Sequence, residues 1–562
     1  MIRISGALAA LTLVASAPAQ TGPAKMAAAD TAAVLPADQG AMRAHVMFLA
    51  SDALRGREAG TPDYDVAAHY VAAQFQAAGL RPAGDAGSYL QHVPLTIYKA
   101  ASEGTMRWTD AAGRTRPLVF GTDYIPSPNP ARADTSVTAP VVFAGRGIAA
   151  PQFGVDDYRG MDVRGKIVAI FAGSPTRFPG EERAYFGSAA TKAQIAAARG
   201  AVGIVMLDAP RAGPRQRPFA ALVGGYASPK TTWAKPDGTG TSAAPTTPVL
   251  GTLSQAAAAT LFEGAATPWS AIVAEAQRAD PTYTPVALKG TLAATTRTSF
   301  TPAASSNVVG IVPGTDPTVG KEVVILSAHL DHIGVSPARP DDAPGRDRIN
   351  NGALDNAIGI ASLIEEAKRF TASGQAPKRT IMFLAVTGEE KGLVGSDYFT
   401  NHPTVPLTSI VADVNLDMPI LTYKFEDMVV FGAERSTIGP IVRHAVAAIG
   451  VGLSPDPMPE EGIFVRSDHF RFVQKGIPSV FLWPGQKGPG KAAVAYFMAN
   501  NYHKPSDDLT QPILWDQGVR FVDANYRIAR EIADGAQRPV WNAGDYFGTL
   551  YKGPMAGAAV AP

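Results

Sequence analysis

The sequence predicts an α/β protein: a mixed, mainly parallel central sheet with helices on both faces, plus an inserted β-rich module. Three observations predict it. From about Ser305 onward, buried strand-like runs alternate with helix-length segments. Between about 131 and 288 that rhythm gives way to short β-like runs joined by Gly-, Pro- and Thr-rich connections. In the C-terminal half, histidines and carboxylates fall just where the apolar runs stop, which is where ligands gather in sheets of this kind.

Size and charge bound the possibilities. A chain of 562 residues with 46% hydrophobic and 18% charged content can build more than one packed core. Fifty basic against 49 acidic side chains, a formal charge of +1, provide no electrostatic footprint for nucleic acid, which is excluded as an expected partner. There are no cysteines, so disulfides, thiolate ligands and thiol nucleophiles are all ruled out.

Taken in order, Met1-Ile2-Arg3, the apolar Ile4 to Ser16 and the small-x-small Ala17-Pro18-Ala19 read as an export signal over 1–19. The expected location is periplasmic or extracellular. No later apolar run reaches the ~18 residues of a spanning helix, so no stable membrane anchor is expected. Helical spacing marks Ala41 to Ala50 and Asp65 to Leu80, joined by the loop Ser51 to Pro62, read as a connecting turn with surface arginines. Val141 to Ala144, Lys166 to Phe171 and Val202 to Leu207 are the β-like runs of the insert, around a helix at Thr191 to Arg199. Ala220 to Pro248 has too little periodicity for core and reads as a long loop overhanging a site. Val323 to Leu326, Thr380 to Val386 and Ser409 to Val414 are buried strands, and Ala357 to Phe370 is a helix between them.

The chemistry sits at these strand ends. The i, i+2 spacing of His329 and Asp331 puts both on one side of an extended chain, so His329 can bind a metal while Asp331 orients it or its surroundings. Asp355 stands at the start of a helix, with two oxygens free to bridge two cations. Glu389 and Glu390 follow the apolar run Ile381 to Val386 and diverge, so one can ligate metal while the other faces a water. Asp417 ends another strand, and His503 offers an imidazole much later in the chain. Such nitrogen and oxygen donors suit zinc, and cobalt or manganese fit the same set. His45, His69, His92, His402 and His444 lack acidic partners at comparable positions and read as structural or exposed.

Several motifs together resemble the dizinc exopeptidases of the bacterial leucyl aminopeptidase and aminopeptidase Y type. They are Ala328-His329-Leu330-Asp331, Gly352 to Asn356, Thr387 to Ser396, Asn415 to Met418, Ser467-Asp468-His469 and Tyr502-His503. The Ser51 to Pro62 loop and the Ala78 to Pro82 turn extend the likeness. Asp162 to Val168 and the run from Lys192 to Ile204 resemble a protease-associated domain.

The resemblance implies a zinc exopeptidase fold and two Zn2+ ions bridged by Asp355. It assigns His329 and Asp417 to one ion, Glu390 and His503 to the other, Glu389 as general base and Asp331 as a supporting carboxylate. The implied substrate is a peptide with a free N-terminus. Where relatives place a tyrosine before Ser-Asp-His to support the oxyanion, this chain has Phe464-Val465-Arg466, making Arg466 a candidate substrate or oxyanion contact. A carboxypeptidase of the glutamate carboxypeptidase type, a glutaminyl cyclase and a non-catalytic relative of the transferrin-receptor kind share the scaffold. The complete ligand set favours a two-metal enzyme over the last two. The expected division is signal 1–19, N-terminal part of the peptidase domain 20–130, insert 131–288, catalytic domain 289–545 and C-terminal tail 546–562.

Overall fold

The computed structural model describes residues 35–210 and 218–557, so the expected export signal lies outside the described residues. The four most apolar runs form its centre. Val323–His329, Thr380–Val386, Ile410–Leu416 and Ser479–Pro484 are buried along their whole length and pair in parallel. Strand geometry alternates their side chains between two cores. Val324, Leu326, Phe383 and Ala385 face one, and Val323, Ile325, Met382 and Leu384 face the other. Antiparallel neighbours flank this parallel centre, Val308 to Val312 on one side and Asp427–Phe431 on the other.

Helices cover both faces, as the double burial of the strands requires. Ala37–Leu49, Ile358–Ala372 and Trp515–Asp534 pack together over the first face. In the last of these, Phe521, Val522, Ile528, Ala529 and Ile532 recur at helical spacing and are buried. Phe399 and Phe472, from Val394–Asn401 and His469–Val473, cover the second face. The helix Pro62–Ala77 starts with Pro62 at its first position and the Thr61 side chain accepting from the Tyr64 amide. No helix among the described residues is long and apolar enough to cross a membrane.

A single strand, Val286–Val312, ties the two parts of the molecule together. Its second half belongs to the central sheet, whereas Val286 to Arg297 pairs with Asp134–Phe143 and Thr105–Asp110 in a second sheet. That sheet continues through the parallel strands Ile167–Ile170, Gly203–Leu207 and Val249–Leu253, over a core that includes Trp108, Phe143, Leu253 and Leu292.

Several sequence boundaries shift as a result. Met106, Trp108, Leu118 and Tyr124 lie upstream of 131 yet pack into the second core, and residue 288 falls inside an unbroken strand. A strand passing directly from one sheet to the next leaves no compositional break to read. The 220–248 stretch is not one loop: Lys230–Trp233 pairs with Leu95 to Tyr98 at the edge of the central sheet. There Trp233 donates to Asp397 (2.6 Å) and meets Tyr398 edge-on, so this segment is fastened to the half of the molecule that holds the central sheet. The expected tail is also packed over its described part, since Phe547 is wholly buried in the main core.

Candidate metal centre and active site

Because the central strands run parallel, their carboxyl ends deliver side chains to one place. His329 is the last residue of its strand, Asp417 follows Ile410–Leu416, and Glu389 and Glu390 follow Thr380–Val386 across one turn. His329 Nε2 lies 3.0 Å from Asp417 Oδ1 and 3.3 Å from Asp355 Oδ1. On the other side of Asp355, His503 Nε2 lies 3.3 Å from its Oδ2 and 3.2 Å from Glu390 Oε2. Asp355 therefore stands between two groups of donor atoms, one oxygen toward each.

A histidine to which the sequence reading gave no role joins the second group. His332 is fully buried, its Nδ1 sits 2.8 Å from Glu390 Oε1, and neither ring nitrogen nor that oxygen has a hydrogen-bond partner. Donor atoms of His329, Asp355 and Asp417 converge within 4.8 Å, as do those of His332, Asp355 and Glu390. Unpaired buried nitrogen and oxygen atoms beside a shared carboxylate fit divalent cations of the zinc type. His332 was legible only as the fourth residue of the His329 motif, with nothing in its spacing to separate it from a loop histidine.

Most supports around these groups engage the backbone. The Asp331 carboxylate accepts from the amides of Glu389 (3.1 Å) and Glu390 (3.3 Å), so it shapes the glutamate turn. His329 is oriented instead by the Asp331 carbonyl, 3.1 Å from Nδ1. Asp507 accepts from the amides of Leu354 and Asp355 at 3.0 Å each, and Ser467 donates to Asp417 at 2.6 Å. Gly352, with φ +60°, is needed because a Cβ there would stand 2.2 Å from the Asp355 carbonyl oxygen and 2.6 Å from the His332 ring.

Arg57 overturns the surface reading of the Ser51 to Pro62 loop. It is completely buried and donates to the carbonyls of Leu330 (2.7 Å), Gly352 (2.7 Å) and Leu49 (3.0 Å), closely to that of Asn351, and weakly to that of Asp355 (3.4 Å). Burial lowers its pKa to about 10 against the pull of Asp355, Asp507, Asp331 and Glu390, so it stays cationic at neutral pH. Only the length of an arginine spans these loops, and a one-dimensional pattern cannot reveal that.

Electrostatics separate the two adjacent glutamates. Burial, with Glu390, Asp417 and Asp468 adding their charge against the opposing His329, pushes Glu389 well above the usual carboxylate range. Burial and Asp355 act the same way on Glu390, but His332 and His503 outweigh them and hold it low. His329 loses affinity for a proton through burial and regains more from Asp417 and Asp355, ending well above an ordinary imidazole.

A small open pocket of about 50 Å³ exposes this chemistry. His329, Asp355, Glu389, Asp417 and His503 line its polar wall, and Met418, Ile463, Phe481, Trp483 and Met498 its apolar wall. Arg466 and Tyr502 stand at the rim: Arg466 donates to the Tyr502 hydroxyl (3.3 Å) and to the Glu461 carbonyl (3.1 Å). The Tyr502 ring stacks on His503 with centroids 3.9 Å apart. His45, His69, His92, His402 and His444 do not line the pocket; His45 bonds Tyr70 and Glu365 between helices.

Known proteins resemble two parts of the chain. Residues 307–528 match the sequence model of Peptidase family M28, and residues 137–261 match that of the PA domain. A probable leucine aminopeptidase 2 of Aspergillus oryzae is 30% identical over 223 residues, 36% of this chain and 40% of that protein. Leupeptin-inactivating enzyme 1 of Streptomyces exfoliatus is 28% identical over 232 residues, 38% of this chain and 46% of that protein. The chain thus spans less than half the length of these curated relatives. Among solved structures, an aminopeptidase from Aneurinibacillus sp. strain AM-1 covers 88% of this chain and 93% of its own, with a TM-score of 0.47 and 19% identity. The chain is thus similar to M28 peptidases over residues 307–528 and to PA domains over residues 137–261.

Proposed function

We propose that this protein is an exported metallo-aminopeptidase that removes N-terminal residues, preferentially apolar ones, from peptides. The observation that carries the reading is Asp355 shared between two donor groups, with Glu389 beside them facing the same open pocket. His329 and Asp417 would hold one cation and Glu390 and His503 the other. His332, which does not line the pocket, backs Glu390 from behind. When bound, two such cations polarise the scissile carbonyl and lower the pKa of an adjacent water.

The remaining steps belong to the chain's own residues. Glu389, whose surroundings raise its proton affinity, takes a proton from the attacking water and returns it to the leaving amine. The Met418, Ile463, Phe481, Trp483 and Met498 wall receives the side chain of the N-terminal residue and excludes water around it. Tyr502, its hydroxyl accepting from Arg466, has its own proton free to donate to the carbonyl oxygen as negative charge develops there. This supplies the donor missing before Ser467, with Arg466 acting through Tyr502.

Glu389→Gln tests the assignment. The variant should bind zinc as the wild type does and lose about 10²- to 10⁴-fold in kcat on aminoacyl-anilides, the contribution of a positioned general base. Turnover near the wild-type rate would remove Glu389 from proton transfer, and absence of zinc from the wild-type protein would remove the reading itself.

A further inference from the structure

We propose that the cleft between the PA insert and the 459–466 loop is the binding site for the part of the peptide downstream of the scissile bond, with Arg183 as its carboxylate-recognising end. The inference rests on the aminopeptidase reading above. The pocket at the candidate metal centre, about 50 Å³, has room for little more than one side chain, so the rest of a peptide must lie elsewhere. A cavity of about 450 Å³ adjoins it and shares two of its walls, Glu461 and Arg466. Its volume is in the range of small-ligand sites.

The two sides of this cleft come from different parts of the molecule. Ser174, Arg183 and Ser188 belong to the insert, and Glu460, Glu461 and Arg466 to the peptidase half. The cleft is preformed because the insert helix Gly180–Gly187 is clamped in place. Arg435 pairs with Glu182 (2.8 Å), with Asp545 (3.1 Å) and closely with Glu181, while the Tyr185 ring meets Phe547 edge-on at 5.7 Å. Gly462, at φ +64°, lets the loop approach the helix so closely that a Cβ there would stand 3.2 Å from that of Ala184.

Charge identifies which end of a ligand goes where. Arg466 is turned toward Glu461, 3.6 Å away, and toward Tyr502. Arg183 is half-buried in the cleft wall, and its guanidinium makes no hydrogen bond or ion pair with any described residue. A half-buried, unpaired guanidinium is a ready partner for a carboxylate, which it can engage in bidentate fashion. A peptide whose N-terminus abuts the metal centre and whose chain runs past Arg466 presents its C-terminal carboxylate to Arg183 when it is short.

The test compares Leu-Gly-Gly, its C-terminal amide and leucyl-p-nitroanilide on the full-length zinc-loaded protein. The wild type should favour the free acid over the amide, and Arg183→Ala should abolish that preference by raising KM for the free acid about tenfold, near 1.4 kcal/mol. Ala184→Trp, which narrows the cleft, should lower the tripeptide-to-anilide ratio of kcat/KM by a similar factor. An unchanged ratio with Ala184→Trp, or an acid preference that survives Arg183→Ala, overturns the assignment. Inactivity of the wild type on all three substrates would instead overturn the aminopeptidase reading on which it depends.

Discussion

Replacing Arg57 by methionine separates a clamp on the metal-binding loops from a bystander in the core. The guanidinium makes four close contacts, to the carbonyls of Leu49, Leu330, Asn351 and Gly352. Methionine has similar length but leaves the carbonyls of Leu49, Leu330 and Asn351 without a donor where no solvent reaches, while that of Gly352 keeps the Ala357 amide. At about 1 kcal/mol for each of these three, the low end for a buried acceptor left unsatisfied, the loss is about 3 kcal/mol. That is a large fraction of the 5–15 kcal/mol that typically holds a domain folded. Because Leu330 and Gly352 flank His329 and Asp355, the loss should also reach the metal centre, weakening zinc binding about 10- to 100-fold as removal of a supporting group does. Urea unfolding gives the first quantity and chelator competition the second. Arg57→Lys, which keeps the charge but cannot span the loops, should recover less than half of either. An Arg57→Met protein within about 1 kcal/mol of the wild type and with unaltered zinc affinity would refute the clamp.

Two further outcomes are expected. Tyr502→Phe should lower kcat on leucyl-anilide about 10²-fold, as loss of one donor to a developing oxyanion does, with zinc content unchanged; a rate within about twofold of the wild type would rule out the hydroxyl. Lys192, fully buried in the insert and donating to the carbonyls of Arg146 (2.5 Å) and Gly173 (2.8 Å), has its pKa lowered to about 7 by burial, with Asp157 opposing. Above that pH the folded protein has released a proton that the unfolded chain keeps until about 10.5, so this group's contribution to stability rises with pH between the two values. Relative to Lys192→Met, the wild type should therefore gain about 2 kcal/mol between pH 7.5 and 9, from 1.36 kcal/mol per pH unit. Equal pH slopes in urea titrations of the two proteins would show that the lysine is charged in the fold.

The central sheet was legible because its strands are buried on both faces and so appear as unbroken apolar runs, such as Ile381 to Val386. The candidate ligands were legible for a related reason. A polar residue such as His329 or Glu389 directly after such a run marks the point where a strand leaves the core. What could not be read depends on distance across the fold. Arg57 acts on carbonyls nearly 300 residues away in sequence, and His332 gains meaning only from Glu390 beside it. The limits of the insert were hidden because Val286–Val312 serves two sheets with one pattern of alternation.

Insert and peptidase half are energetically one body, and this bears on how the site works. Ile148, Ala150, Phe178, Tyr185 and Phe186 of the insert are buried in the same core as the helices over the first face of the central sheet. Cutting out 131–288 would strip these side chains from that core and remove the strand Asp134–Phe143 that pairs with Val286–Val312, so an insert-free chain should misfold. The same fusion fixes the wall of the cleft beside the pocket. Within the pocket, the opposite displacement of Glu389 and Glu390 follows from position alone: Glu390 lies between two imidazoles, whereas Glu389 faces its neighbours' negative charge. Two carboxyl groups driven apart in this way suit one to hold a cation and the other to carry a proton. Giving Glu390 an anionic neighbour in place of an imidazole, by His332→Glu for example, should therefore damage zinc affinity first and turnover only as a consequence. A variant with full zinc affinity and lost turnover would mean that His332 serves proton transfer and not the support of Glu390.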